Sequence, residues 1–519
     1  MITCLESDIM ELTYIVLLAL LVVYIPFYFW VRFSPNAEKY GLVKYGPMVM
    51  VKTKLGTKLM EKWCVYTRFW RFFGTLSLII SAILMVTIIL IMVIGIGNFV
   101  SNLSAPGLGI EYALAIPGLN PLLPIWYGII GLAVSMIVHE LAHGMQTRSN
   151  GMRVDSTGLL IAVVPMGAFV EPNEEDVRKS SRRVKLDLYS AGISVNFITA
   201  IITFTLFAGL MLGGISSDYG SNAAVYSMTG DSPAFGEIPN GSIILTVDGV
   251  EYSYSEDYTK QDYTWVPGEL VEVEYLTESG KGTAMIEWGL YIERVTNSSP
   301  ADGVLKSGTF ILSIETEDGT VYKMYGQSEF TSFMSNTHPG ETVTVTYCVS
   351  GEASSSATIV LGSKGDIGFI GISTTTSGMI FRTPDSVLDQ ARNPFYNADS
   401  VTSTVTSMLG YIAGPFNGFS PMPESVLWWY DVPLEEVFWI IVMILYWIFW
   451  FSIMLGVSNA IPAYPFDGGF IFLGGLNGLL EKLGVKDEQK REETSSRITS
   501  VVSMVMIFMF IMIIAAVVL

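Results

Sequence analysis

The sequence predicts a multi-pass α-helical membrane protein of about six spans, with two β-rich domains inserted between its helices. Half of the 519 residues are apolar and only 15% are charged, a balance that soluble domains seldom reach. Six apolar segments are long enough to cross a hydrocarbon core about 30 Å thick. A repeated pattern of alternating β-branched residues separates the fourth segment from the fifth. The six segments lie near 10–32, 73–98, 123–147, 186–213, 434–458 and 497–518.

The first apolar segment is expected to be a retained helix rather than a cleavable signal. It is long, and Glu6, Asp8 and Glu11 precede it where a signal peptide would carry basic residues. We therefore count it as a span of an N-terminal membrane region, residues 1–100.

Charge is concentrated in one part of the chain. Residues 214–432 contain 27 acidic and 8 basic residues, so this block accounts for the whole net charge of −19. An acidic block is typical of a solvated surface and gives no support for nucleic-acid binding.

Basic residues in the loops predict the orientation of the helices. The loop after the first segment is rich in Lys and Arg, whereas residues 99–122 have neither. The positive-inside rule puts the basic loop in the cytoplasm. Alternate crossings then place the clusters at 178–185 and 482–491 in the cytoplasm too, and the acidic block and both termini outside.

Two related copies of a short pattern lie within the acidic block. Ser232-Pro233-Ala234 leads to a Gly-Ser-Ile-Ile-Leu run and a Pro-Gly-Glu turn, and Ser299-Pro300-Ala301 leads to similar features. Alternating β-branched residues after each turn predict half-buried strands. The pattern resembles tandem PDZ domains, here at 222–290 and 289–375 with a linker at 376–432. The resemblance implies extended peptide ligands; the alternative is two β modules that only occupy space.

The strongest chemical signal is the HExxH motif at 139–143. His139 and His143 are four residues apart, so on a helix they project from one face and can bind a metal ion, with Glu140 beside them as a base. Glu140 is the only charged residue between Tyr112 and Thr147. Because the three cysteines are scattered, further ligands are expected from His or carboxylate side chains.

A second apolar region supplies a candidate third ligand. Asp467 is the only charged residue between Val437 and Leu480, and an unpaired carboxylate at membrane depth is costly unless it is neutralised or coordinated. Both this region and the HExxH span run from outside to inside, so both motifs are expected near the same cytoplasmic level. Pro462 and Pro465 would break the helix there.

Together these motifs resemble the site-2 protease family of intramembrane zinc metalloproteases. The resemblance covers roughly 120–213 and 434–485, and it implies a catalytic core in two parts, 101–213 and 433–485, followed by a C-terminal span in 486–519. It implies one Zn²⁺ per chain on His139, His143 and Asp467, with Glu140 activating water. Two sequence differences from the family pattern are Ile193, where a proline is expected, and Phe466, where a leucine is expected.

The same resemblance implies groups that bind substrate. A hairpin after the HExxH helix is expected to hold an unwound substrate through Gly167, Ala168 and Phe169. Asn459 either binds the substrate or caps its own backbone, and Asn196 either binds the substrate or links helices.

The resemblance implies an intramembrane zinc endopeptidase in the cell membrane, whose partners are transmembrane protein substrates and the lipid bilayer. An alternative is a membrane scaffold or receptor whose PDZ-like domains bind partners and whose zinc site is structural. A membrane-anchored protease with a cytosolic catalytic domain is disfavoured, because HExxH lies in an apolar span. A transporter is disfavoured because paired intramembrane charges and related half-repeats are missing from the sequence.

Overall fold

The computed structural model describes residues 2–54, 56–101, 115–117, 120–252, 265–349, 353–396, 398–417 and 419–518. Parts of the predicted domains, at 102–114 and 253–264, lie outside the described residues. The chain forms two compact units. The membrane unit comprises Met1–Leu210, Met408–Phe419 and Ile440–Leu519, and the β unit comprises Met211–Ser407 and Ser420–Trp439.

Five described helices are long and apolar enough to cross a membrane, over Thr67–Gly97, Ile125–Ser149, Arg182–Gly214, Glu436–Asn459 and Glu488–Ala515. The first predicted span falls on another helix, whose described apolar part, Leu18–Phe33, is shorter. A sixth span therefore stays a prediction. The helices are α1 Ile2–Phe33, α2 Thr57–Trp63, α3 Thr67–Ser101, α4 Ile125–Ser149, α5 Glu174–Lys179, α6 Arg182–Phe204, α7 Gln327–Ser335, α8 Pro384–Arg392, α9 Val401–Ala413, α10 Glu436–Asn459, α11 Asp467–Lys482 and α12 Glu488–Val518.

Helix α6 is the centre of the membrane unit and packs against α3, α4 and α11. Small polar residues bring α3 and α6 together: the Ser194 hydroxyl donates to the Ser77 carbonyl at 2.9 Å and lies 3.4 Å from the Ser81 hydroxyl. Between α4 and α10 the approach is closer still, since a Cβ on Gly131 would lie 2.6 Å from the Trp447 carbonyl oxygen. Such small-residue contacts are how helices associate in lipid, where apolar surfaces gain little from leaving water.

A four-stranded antiparallel sheet accompanies these helices, in the order β1 Leu42–Tyr45, β2 Met48–Thr53, β3 Val154–Ala162 and β4 Val164–Pro172. The predicted hairpin is thus present as β3 and β4, but the first basic loop supplies two further strands. Gly158 permits this pairing, because a Cβ there would lie 2.0 Å from the Val51 carbonyl oxygen.

An ion pair crosses this sheet. The Lys52 ammonium on β2 lies 2.7 Å from the Glu171 carboxylate on β4, and the Ser156 hydroxyl on β3 donates to the same carboxylate. The hydrogen bonds from Lys52 and then Ser156 lower the pKa of Glu171 below its usual 4.5. Strand β4 itself is at the edge of the sheet.

The β unit contains two hydrophobic clusters joined by one twelve-stranded sheet. The first is formed mainly by residues of β5, β6, β8, β9 and β18, and the second mainly by residues of β10, β11, β13 and β14. Strands β15 and β16 form a separate two-stranded sheet. Along the sheet the order is β14-β13-β11-β10-β17-β18-β5-β6-β8-β9, with β12 beside β11 and β7 beside β6. The strands are β5 Ala224–Met228, β6 Ile243–Val247, β7 Val250–Glu251, β8 Glu269–Thr277, β9 Gly280–Trp288, β10 Leu290–Val295, β11 Thr309–Thr316, β12 Val321–Lys323, β13 Thr342–Val349, β14 Ser355–Val360, β15 Gly362–Lys364, β16 Ile367–Phe369, β17 Ile372–Thr376 and β18 Met379–Arg382.

The segment expected to be a linker, 376–432, contains ordered structure that belongs to the first cluster. Strand β18 pairs with β5, and its Met379 and Phe381 are buried among the side chains of β6, β8 and β9. Strands β10 to β17 are therefore inserted in the sequence between β9 and β18 of the first cluster. The division into two PDZ-like domains at 222–290 and 289–375 stays a prediction.

Candidate metal centre

Two histidines on α4 form the first part of the site. His139 and His143 are both buried, one helical turn apart, and their Nε2 atoms lie 3.2 Å apart. The helix places both rings on the same face, as the i, i+4 spacing requires. A metal ion between the two Nε2 atoms would therefore meet two nitrogen ligands.

Asp467 is brought to the same point by a break in the helices. Helix α10 ends at Asn459, and α11 begins at Asp467 after a turn that contains Pro462 and Pro465. The turn is tight, since a Cβ on Gly468 would lie 2.4 Å from the Ile461 carbonyl oxygen. The Oδ2 atom of Asp467 lies 3.3 Å from Nε2 of His139 and 3.2 Å from Nε2 of His143.

The distances between these three atoms fit a zinc ion. Zinc bonds to nitrogen and oxygen are about 2.0–2.1 Å long, and tetrahedral angles then separate neighbouring ligand atoms by about 3.3–3.4 Å. The three separations in the structure are 3.2, 3.3 and 3.2 Å. The buried Oδ2 of Asp467 also has no hydrogen-bond partner among the described residues. These three side chains could hold a metal ion.

The ring of His143 is held in the tautomer that metal binding needs. Its Nδ1 lies 2.9 Å from the Leu188 carbonyl oxygen on α6, and a carbonyl can only accept. Nδ1 therefore carries the proton and donates it to Leu188, which leaves the lone pair of Nε2 free for a cation.

Gly192 on α6 makes room for the site, a role that the sequence analysis did not assign. A Cβ at this position would lie 2.5 Å from Nε2 of His143 and 2.7 Å from Nε2 of His139. Any side chain here would occupy the space between the rings. The signal in the sequence was its position four residues before Asn196, a residue that the family resemblance had already singled out.

Glu140 lies at the junction of the metal site and the sheet. Its Oε2 accepts a hydrogen bond of 2.9 Å from the backbone N–H of Val170 on β4. The predicted substrate-binding residues Gly167, Ala168 and Phe169 are on the same strand and pair with Leu160, Leu159 and Gly158 of β3. No strand among the described residues pairs with the other side of β4, and the hydrogen bond from Val170 shows that this outer edge faces Glu140.

The two asparagines differ in their surroundings. Asn459 is half-buried beside the same cavity as the histidines, and its amide donates to the Leu455 carbonyl at 3.0 Å. Asn196 is completely buried, and its amide nitrogen lies 3.2 Å from Nδ1 of His139. The structure thus places Asn459 where a substrate could reach it and Asn196 behind a candidate metal ligand.

A cavity of about 1270 Å³ connects the site to a polar surface. His139, Glu140, His143 and Asp467 lie along its wall, and both polar and apolar residues of α5, α6, α11 and α12 line most of the rest. Arg182 on α6 and Glu481 on α11, both lining residues, form an ion pair of 2.6 Å. Water can therefore reach the candidate metal ligands from the polar ends of these helices.

The chain is similar in sequence to known proteins. The chain is 26% identical over 178 residues to a membrane-bound transcription factor site-2 protease homolog of Arabidopsis thaliana, covering 33% of each protein. It is 28% identical over 272 residues to an uncharacterized protein of Methanocaldococcus jannaschii, covering 52% of this chain and 69% of that one. The resemblance to site-2 proteases is confirmed. A model of peptidase family M50 matches residues 127–511, and the chain belongs to this family of metalloproteases.

Proposed function

We propose that the protein is an intramembrane zinc endopeptidase that cleaves transmembrane segments of other membrane proteins. One observation carries the proposal. Two histidine nitrogens and a carboxylate oxygen lie 3.2–3.3 Å apart between apolar helices, with Glu140 at hydrogen-bonding distance from an edge strand. A structural metal site has no need for a base or for an adjacent place to bind a peptide.

In this proposal His139, His143 and Asp467 hold the zinc ion, and Glu140 is the general base. The chemistry that bound zinc supplies is polarisation of a carbonyl and a lower pKa for water. Glu140 takes a proton from the attacking water and passes it to the nitrogen of the leaving amine. The histidines and the Asp467 Oδ2 atom are buried, and the cavity beside them gives the attacking water a path to the site.

The substrate is proposed to bind to β4 as an added strand. Carbonyl groups of an intact helix are bonded within that helix, so a transmembrane substrate must unwind before a peptide bond can reach the site. An edge strand offers unpaired backbone groups to such a segment. Asn459, which lines the cavity, is proposed to contact the substrate backbone.

The charge of the loops supports a location for each part. The basic clusters at 178–185 and 482–491 favour a cytoplasmic position for the ends of α5, α6, α11 and α12. The active site is then near the cytoplasmic face, and the acidic β unit is outside. We propose that the two β modules act as PDZ-like domains that dock substrates or exclude those with bulky extracellular domains.

The test measures zinc content and cleavage of a model transmembrane substrate in parallel. Glu140→Gln should keep zinc and lose at least a hundredfold in turnover, in line with removal of a general base. Asp467→Ala should lose both zinc and cleavage. Cleavage at the wild-type rate by both variants would refute the protease proposal.

The scaffold alternative makes the opposite prediction for Glu140. If the zinc site were only structural, Glu140→Gln would bind partners as the wild type does, and the wild type would not cleave the substrate. The same experiment therefore separates the two functions.

A further inference from the structure

We propose that Asn196 is a positioning residue for the zinc ligand His139 rather than a substrate-binding residue. Its amide oxygen accepts a hydrogen bond from the Nδ1–H group of His139 and so directs Nε2 of the ring at the metal. The inference rests on the proposed zinc site.

The buried amide oxygen of Asn196 lacks a hydrogen-bond donor among the described residues. The residue is completely buried, with its amide nitrogen 3.2 Å from Nδ1 of His139. A buried carbonyl oxygen without a donor is unfavourable, so this amide is expected to have a better arrangement.

The protonation of the ring determines that arrangement. When Nε2 of His139 binds a metal, the proton of the neutral imidazole is on Nδ1, which must then donate a hydrogen bond. An amide NH₂ group cannot accept it. Rotation of the Asn196 amide by half a turn exchanges its oxygen and nitrogen without moving other atoms. The oxygen then accepts from Nδ1, which gives a partner to both the amide oxygen and the ring N–H.

His143 provides a parallel on the same helix. Its Nδ1 donates to the Leu188 carbonyl oxygen at 2.9 Å. Leu188, Gly192 and Asn196 are spaced four residues apart, so they lie along one face of α6. The first accepts from His143, the second leaves space for both rings, and the third accepts from His139. One face of α6 thereby orients both histidine ligands.

The competing role is that of a hydrogen-bond donor to the substrate or to the developing oxyanion. A donor needs the NH₂ group, whereas a positioning acceptor needs only the oxygen. Asn196→Asp removes the first and keeps the second, because a carboxylate accepts strongly and is a common partner of zinc-bound histidine. Asn196→Leu keeps the branched shape and the number of side-chain heavy atoms, and it removes both.

The experiment measures zinc affinity by competition with a chelator in the purified full-length protein, apart from any activity. Asn196→Leu is expected to bind zinc about 10–100-fold more weakly than the wild type, and Asn196→Asp is expected to remain within a few-fold of it. Thr203→Val is the control. It removes a buried hydroxyl from α6 that bonds only within its own helix, and should leave zinc affinity unchanged.

Cleavage at saturating zinc completes the test. At saturating zinc we expect Asn196→Asp to cleave at close to the wild-type rate. We expect Asn196→Leu to regain part of the cleavage activity that weak zinc binding removes at lower zinc concentrations. Wild-type zinc affinity in Asn196→Leu would overturn the inference. So would normal affinity with lost turnover in Asn196→Asp, which indicates a donor and remains informative if the Leu variant does not fold.

Failure of the proposed function would look different. If the wild type bound zinc but cleaved no substrate, the protease proposal would fail, while the order of zinc affinities would still decide the role of Asn196. A wild type that bound no zinc would overturn both.

Discussion

The Glu140 carboxylate and the backbone N–H of Val170 are joined by a hydrogen bond of 2.9 Å. This contact fixes the direction in which β4 presents its backbone. Because successive N–H groups of a strand point to opposite sides, the N–H of Ala168 also points away from β3. In the proposed binding mode, the Ala168 N–H is therefore an outward donor for a substrate strand next to the candidate base.

Replacing an outward N–H should impair substrate binding without disturbing the sheet. Ala168→Pro removes a donor that β3 does not use, and edge strands tolerate proline at such positions. We expect a cleavage rate at low substrate concentration about tenfold below wild type, with zinc content unchanged. Ala168→Val is the matched control, since it retains the N–H and suits a strand. Equal cleavage by the two variants would argue against strand addition.

The space at Gly192 should be essential for metal binding. A methyl group there would be 2.5–2.7 Å from the ligand nitrogens, so Gly192→Ala should displace the rings and abolish stoichiometric zinc binding. Gly475 on α11 has open space around its Cβ position, and Gly475→Ala should bind zinc normally. Zinc analysis of both purified proteins checks the expectation, which fails if Gly192→Ala holds a full equivalent.

The ion pair between Lys52 and Glu171 should make a small contribution that depends on pH. Both side chains are about a third or more exposed, so loss of the pair in Lys52→Met should lower the free energy of unfolding by no more than about 1 kcal/mol. Because the folded pKa of Glu171 lies below 4.5, the pair stabilises the sheet above that pH and weakens as the pH falls through the folded value.

The stability deficit of Lys52→Met relative to wild type should consequently be constant between about pH 5.5 and 7.5, as checked by denaturant unfolding across that range. A deficit that disappears within this interval would show that another group is responsible. Ser156→Ala, which leaves the ion pair in place, is the comparison variant.

The two ends of the strand-rich insertion suggest a clean deletion. Ala224 and Arg382 are directly paired between β5 and β18, so their Cα atoms are about 5 Å apart. A short Gly-Ser linker can replace residues 225–381. If the β modules exclude bulky substrates, this protein should cleave a substrate with an intact extracellular domain as fast as a trimmed one, whereas the wild type should prefer the trimmed form.

Docking by the β modules would give the contrary result, with slower cleavage of the trimmed substrate after deletion. Unchanged rates for both substrates would remove any role for these modules in selection. Gel-based cleavage assays at equal zinc occupancy distinguish the three outcomes.

The sequence predicted the parts of the site that depend on local spacing or isolated charge. The i, i+4 histidines and the lone Asp467 stood out because a charge in an apolar segment needs a reason. The structure brings His139, His143 and Asp467 together, as expected from the direction of their spans. The hairpin after the HExxH helix was implied only by the resemblance to the site-2 protease family.

Other features depend on contacts between distant residues and could not be predicted from local pattern. Strand β2 pairs with β3 about a hundred residues later, and its basic residues indicated only a cytoplasmic loop. Gly192 acquires its role from the distance between α4 and α6. Strand β18 looked like part of a linker because its partner, β5, precedes all of strands β10 to β17.

The four-stranded sheet of β1 to β4 also defines how much of the chain a catalytic fragment must contain. The family match begins at residue 127, but β1 and β2 come from residues 42–53. A fragment cut at the family boundary would lose half of the sheet and leave β3 as a second open edge, able to pair with other chains. The smallest fragment expected to be monodisperse therefore begins before β1, within the N-terminal region that matched no motif.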